Sequence, residues 1–113
     1  MEPEEAAAWI AGREGVRFLD VREPAERAVA RIEGSILASP DAVREAIEDW
    51  PRDTPILVYC HHGRRSLLMS FRLLAEGFTE VVNLRGGIEE WSKRVDSSMP
   101  RYEVRYGQGI VRR

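Results

Sequence analysis

The chain of 113 residues has one cysteine, Cys60, so no disulfide can form within it and no cysteine-rich metal site is possible. It has no apolar run approaching the roughly 20 residues that span a bilayer. Its acidic opening, Met1-Glu2-Pro3-Glu4-Glu5, does not read as a secretory signal. Nor is there an excess of charge: a net charge of −2 makes no electrostatic case for nucleic acid or an anionic membrane. Lysine and side-chain amides are nearly missing, with Lys93 the only lysine and Asn83 and Gln108 the only amides, so arginine carries the positive charge. At 43% apolar and 32% charged the composition is that of a folded chain rather than a disordered one. These absences predict a cytoplasmic protein with one modest core, residues 1–113 forming a single domain whose last part, about 97–113, is a C-terminal tail.

What is present alternates between strand and helix. Pro3 before Glu4 and Glu5 opens a helix that Gly12 stops. Val16 to Val21 reads as a short buried strand, Pro24 opens a helical turn to Ala30, and Gly34-Ser35-Ile36-Leu37 reads as a turn and a brief strand. A helix follows from Pro40-Asp41 to Trp50, ended by Pro51. Pro55-Ile56-Leu57-Val58-Tyr59 has the doubly apolar character of a central parallel strand. From Ser66 to Glu76 the pattern is helical, with Leu67, Leu68, Phe71, Leu74 and Ala75 predicted as its core stripe and Gly77 as its stop. Val81-Val82-Asn83-Leu84 is a fourth strand, and Gly86-Gly87 turns into a helix from Ile88 to Val95. Trp9, Trp50 and Trp91 lie on helical apolar faces and are predicted as core. This alternation implies a three-layer α/β fold with a central, mostly parallel sheet between helices. Tyr102-Glu103-Val104-Arg105-Tyr106 is left as an added edge strand or a packed tail.

The chemistry lies in Cys60-His61-His62-Gly63-Arg64-Arg65-Ser66, between the central strand and the strongest helix. Ligands of open α/β sheets bind at the carboxyl ends of strands, where Cys60 stands. Backbone N–H groups of the loop and of the helix start, with Ser66 as N-cap, are expected to converge above the sulfur, and Gly63 permits the backbone that this needs. Such a nest favours negative charge, hence thiolate over thiol, and it suits an anionic substrate on the same sulfur.

These residues resemble the active-site loop of rhodanese-like domains. Phe18-Leu19-Asp20-Val21-Arg22-Glu23-Pro24 with Glu26, Arg31-Ile32-Glu33-Gly34-Ser35-Ile36, and Asn83-Leu84-Arg85-Gly86-Gly87-Ile88 with Trp91 are similar to three further signatures of that family, in its order. Pro100-Arg101-Tyr102 resembles a common close, and Arg31 stands where a histidine is usual. The resemblance implies the rhodanese-like fold and a sulfurtransferase. In it Cys60 would be the nucleophile and sulfur carrier, and His61, His62, Gly63, Arg64, Arg65 and Ser66 would form the anion cradle. It implies small sulfur-containing anions as donors such as thiosulfate, a small thiol or a thiol protein as acceptor, and no cofactor.

Plainer roles compete at several positions. His61 and His62 are expected to shape the mouth of the pocket rather than hold metal, since neighbouring residues rarely point at one ion. Arg64 leans toward a substrate contact, whereas Arg65 leans toward an ion pair with Asp20 or Glu23. Asp20 and Arg22 read as loop-holding groups, and Gly86-Gly87 as a strand-to-helix turn rather than a phosphate loop. Two other functions stay open: a non-catalytic binding or sensing module, and a cysteine-dependent phosphatase. The phosphatase needs a longer loop, and Ser66 occupies the place of its arginine. Disulfide exchange would need a resolving cysteine that the chain lacks.

Overall fold

A strand that is apolar at every position is stable only where both faces of its sheet are covered. In the computed structural model, which describes residues 1–105 and 107–113, Ile56–Tyr59 forms such a strand. It lies inside a parallel sheet with Arg17–Asp20, Ile36–Leu37 and Val81–Asn83. In chain order these are β1 (Arg17–Asp20), β2 (Ile36–Leu37), β3 (Ile56–Tyr59) and β4 (Val81–Asn83), and their spatial order is β2-β1-β3-β4. Asp20 stands opposite Tyr59, and Leu57 opposite Val82.

Five helices cover the sheet: α1 (Pro3–Ala11), α2 (Pro24–Val29), α3 (Pro40–Asp49), α4 (Arg64–Ala75) and α5 (Gly87–Arg94). Alternate residues of β3 feed two cores. Leu57 and Tyr59 join Ala6 of α1 and Ile88 and Trp91 of α5, whereas Ile56 and Val58 join Leu73 of α4, Phe78 and Ile47 of α3. The three-layer α/β architecture is therefore present. Trp91 is buried as expected, while Trp9 and Trp50 are only half-buried and carry Arg13 and Arg17 over their rings.

Helix α4 departs from the sequence pattern. It begins at Arg64, with Gly63 as its left-handed N-cap, so Ser66 lies in the first turn and is not the cap. Its buried residues are Ser66, Ser70 and Leu73, while Leu67, Leu68, Phe71, Leu74 and Ala75 face outward. Leu68 is 73% exposed and Phe71 58%. The reason is steric and polar: the inner face must bring Ser66 to the loop, and small serines let the helix approach β3 and β4. Ser70 is itself satisfied, its hydroxyl donating to the Ser66 carbonyl at 2.9 Å.

The C-terminal segment forms an antiparallel hairpin of β5 (Tyr102–Arg105) and β6 (Gly109–Arg112). It does not extend the parallel sheet, and Tyr106 lies outside the described residues. Tyr102 is buried in the core that contains Leu57 and Trp91. Among the described residues, no helix is long and apolar enough to cross a membrane.

Candidate active site

Because all four strands of the main sheet run the same way, their carboxyl ends share one rim, and Cys60 follows β3 there. Two helix starts then fold the loop around it. The first turn of α5 has N–H groups with no partner inside the helix. Ile88 donates to the Cys60 carbonyl at 2.8 Å and Glu89 to the His61 carbonyl at 3.2 Å. Gly86-Gly87 is thus a strand-to-helix turn, closed by the Gly87 N–H on the Leu84 carbonyl at 3.0 Å, and the donors that serve the loop are those of Ile88 and Glu89. Gly87 has φ +62, and a Cβ on it would stand 2.3 Å from the His61 oxygen and 2.4 Å from that of Cys60. Only glycine permits this approach.

With its carbonyls held below, the loop turns its donors to the sulfur. Cys60 Sγ meets the N–H of Gly63 at 3.0 Å and that of Ser66 at 3.4 Å, and Ser66 Oγ lies 3.3 Å away. The Ser66 hydroxyl has one proton and two acceptors, since Asn83 Oδ1 is 2.5 Å from it. Asn83 Nδ2 donates to the Gly63 carbonyl at 3.1 Å, which orients the amide. While the hydroxyl points to Asn83 it can accept from a thiol; turned to Sγ it donates to a thiolate.

His61 is buried between two rings, His62 at 4.1 Å and Tyr102 at 4.2 Å. Its Nε2 lies 3.5 Å from Glu89 Oε2 and has no hydrogen-bond partner among the described residues. Burial, and then the charge of His62, press the imidazole below its ordinary pKa against the pull of Glu89. His62 is exposed at the rim. Arg65 forks onto Glu26 at 2.9 Å through both nitrogens, rather than onto Asp20 or Glu23. Asp20 is already occupied by Arg22, Arg27 and the Tyr59 hydroxyl, and the Glu23 side chain caps the first turn of α2. Asp20 and Arg22 thus form a buried structural pair, 2.7 Å apart. Arg64 has no ion-pair or hydrogen-bond partner among the described side chains.

Glu26 is the hub behind the loop. Burial alone would raise its carboxyl, but the Arg65 fork, the Glu23 N–H and the Tyr102 hydroxyl bring it down to about 2. Three positioning residues were assigned no role from the sequence, Asn83, Glu89 and Tyr102, although Asn83 and Tyr102 stand in stretches that resemble the family's signatures. Asn83 carried one signal, being one of two side-chain amides in the chain. Glu89 receives Arg101 and Arg113, both distant in sequence, and no local pattern announces it.

These parts border an open cleft of about 690 Å³. Cys60, His61, His62, Arg64 and Arg65 line one side, Glu23 and Glu26 the second, and Glu103, Val104 and Arg113 the third. Among the described residues no cluster of three or more His, Cys, Asp or Glu side chains could hold a metal ion.

Comparison with known proteins fits this geometry. The rhodanese-like domain profile matches residues 2–94. The chain is 34% identical to the thiosulfate sulfurtransferase GlpE of Pseudomonas entomophila, over 80% of this chain and 82% of that one. It is 29% identical to a probable adenylyltransferase/sulfurtransferase, MoeZ, of Mycobacterium tuberculosis, over 88% of this chain but only 26% of that longer protein. Among solved structures, a rhodanese-related protein from Thermoplasma volcanium superposes with a TM-score of 0.69 at 29% identity, covering 84% of this chain and 91% of the other.

Proposed function

The chain belongs to the rhodanese-like domain family, and on that premise we propose that it is a sulfurtransferase in which Cys60 carries sulfane sulfur as a persulfide. The observation that supports this most is the set of donors on one sulfur: two backbone N–H groups at 3.0 and 3.4 Å and a hydroxyl at 3.3 Å, beside an open cleft. A thiolate there attacks the sulfane sulfur of thiosulfate. A new S–S bond forms on Cys60, the donor's S–S bond breaks, and sulfite leaves with the electron pair. Because that leaving group is good, no general base is needed. The same donors hold the charge on thiolate and persulfide alike, so the site need not rearrange between the two states.

In this reading Gly63 and Ser66 stabilise the sulfur, Asn83 steers the Ser66 hydroxyl, and Glu26 with Arg65 keeps the loop in register. His62 and Arg64 form the entry through which donor anions and thiol acceptors come, while His61 is buried behind it against Tyr102. The cytoplasm, where a lone thiol stays reduced, is the compartment that suits the chemistry. A non-catalytic module would have no use for donors aimed at the sulfur.

The test is direct. Incubation with thiosulfate should add the mass of one sulfur atom to the protein, and cyanide should remove it as thiocyanate. Cys60→Ser should lose transfer by at least ~10³-fold. Absence of any persulfide with thiosulfate, polysulfide or an organic persulfide overturns the proposal, as does a fully active Cys60→Ser.

A further inference from the structure

Large apolar side chains left in water are ordinary when scattered and informative when they form one patch. Of the seven that the described residues expose, four lie on α4: Leu67, Leu68, Phe71 and Leu74. Helical spacing of three and four residues puts Leu67, Leu68 and Phe71 on one outward stripe with Ala75. The stripe runs the length of a 12-residue helix, about 18 Å. Among the described residues no element covers it, and the inward face is already engaged by the Cys60 loop and the sheet.

The charges at its ends say what this face fits. Arg64 stands at the first residue of α4 and Glu76 just past its last, and both are exposed. Neither makes an ion pair among the described residues. Each also sits at the disfavoured end of its own helix dipole, a cation at the amino end and an anion at the carboxyl end. A uniformly acidic or basic surface would match one of these ends and oppose the other. A second copy of α4 laid antiparallel matches both, because Glu76 of each copy then falls opposite Arg64 of the other. In that register Arg72 stands opposite Leu68 of the second copy, where its aliphatic stem gives cover. Leu67 and Leu74 share the other edge of the seam, and Phe71 lies near the two-fold axis. The net charge of −2 per chain puts little general repulsion between copies.

We propose that this face of α4 is the interface of a two-fold homodimer, its helices paired antiparallel so that Glu76 of each copy meets Arg64 of the other. Arg64 lines the Cys60 cleft, so each copy adds a carboxylate to the rim of the other's site. The surface of one helix is smaller than the roughly 800 Å² per partner of a standard interface. The dimer is therefore weak and concentration-dependent, with Kd on the order of 10–100 μM. It does not depend on the sulfurtransferase reading.

Sedimentation velocity of the full chain between about 1 and 500 μM reads the association directly. The mass should rise from 12.9 kDa toward twice that value. Phe71→Glu should stay monomeric throughout with an unchanged circular dichroism spectrum, since Phe71 packs in neither core. Arg64→Glu and Glu76→Arg should each weaken the dimer about tenfold, because two pairs turn from attraction to repulsion. Mixed in equal amounts, the two variants should recover the parent's affinity, since a heterodimer restores both pairs. A chain still monomeric at the highest concentration overturns the proposal, and so does a dimer indifferent to Phe71→Glu. A mixture that associates no better than either variant alone overturns the antiparallel pairing. Binding of an acidic, apolar peptide by a chain that stays monomeric assigns the face to a foreign partner instead.

Discussion

At the scale of single residues, the site is made by close approaches more than by reactive side chains. Cys60 is the one group that forms bonds in the proposed reaction. Its neighbours act by where their backbone points, and Gly87 sets that direction. A Cβ there would overlap two carbonyl oxygens, and φ +62 is itself unfavourable for other residues. Gly87→Ala is expected to lose about 1–3 kcal/mol of stability and to slow persulfide formation through displacement of the loop. Denaturant unfolding and the rate of mass gain with thiosulfate, measured on one preparation, check both effects. The Cys-x-x-Gly-x-Arg-Ser pattern was legible in the sequence, as was the convergence of backbone N–H groups on the Cys60 sulfur. The Arg65 partner was not, because Asp20, Glu23 and Glu26 are all plausible until the other contacts of Asp20 are seen.

At the scale of elements, helix α4 has two faces with opposite logic. Leu67, Leu68, Leu74 and Phe71 look to solvent, while two serines and Leu73 look inward. Periodicity alone reports the apolar stripe and assigns it to the core, since burial is the usual fate of such a stripe. Here the demand that Ser66 meet Cys60 outweighs it. Leu68→Glu and Phe71→Glu should therefore leave stability within about 0.5 kcal/mol of the parent, whereas Leu73→Ala should cost about 2–5 kcal/mol. Urea unfolding of the three variants distinguishes this orientation from the one the stripe suggests. Strand positions were legible to within a residue or two, because apolar runs between turn residues leave few alternatives.

At the scale of the whole molecule, buried ionisable groups couple the loop, the α2 start and the hairpin, and they set how the fold meets acid. Glu26 lies near 2, well below the 4.5 of a free carboxyl. Glu89 is also lowered: burial opposes this, but hydrogen bonds and charge from Arg101 prevail. His61 is held below 6.5 by burial. All three bind protons more readily when unfolded, so stability is greatest above these ordinary values and falls as pH drops. The loss should begin below about pH 6.5 as unfolded His61 takes its proton, and steepen from 4.5 toward 2. Glu26→Gln should be less stable than the parent at neutral pH and converge on it across that lower window. Unfolding free energies over a pH series give the measurement.

The sequence by itself determined the alternation of strands and helices, the parallel sheet, the position of Cys60 at a strand's carboxyl end and the exclusion of an internal disulfide. These depend on local periodicity, on turn residues and on a cysteine count, and all three are written within short stretches of chain. Only the tertiary structure decided which face of α4 is buried, which carboxylate holds Arg65, how α5 grips the loop, and that Glu103, Val104 and Arg113 form a wall of the cleft. Each of those is a choice among groups of equal chemical aptitude brought together from distant segments. It is made by which pairs come within hydrogen-bonding distance, and that is a property of the packed chain.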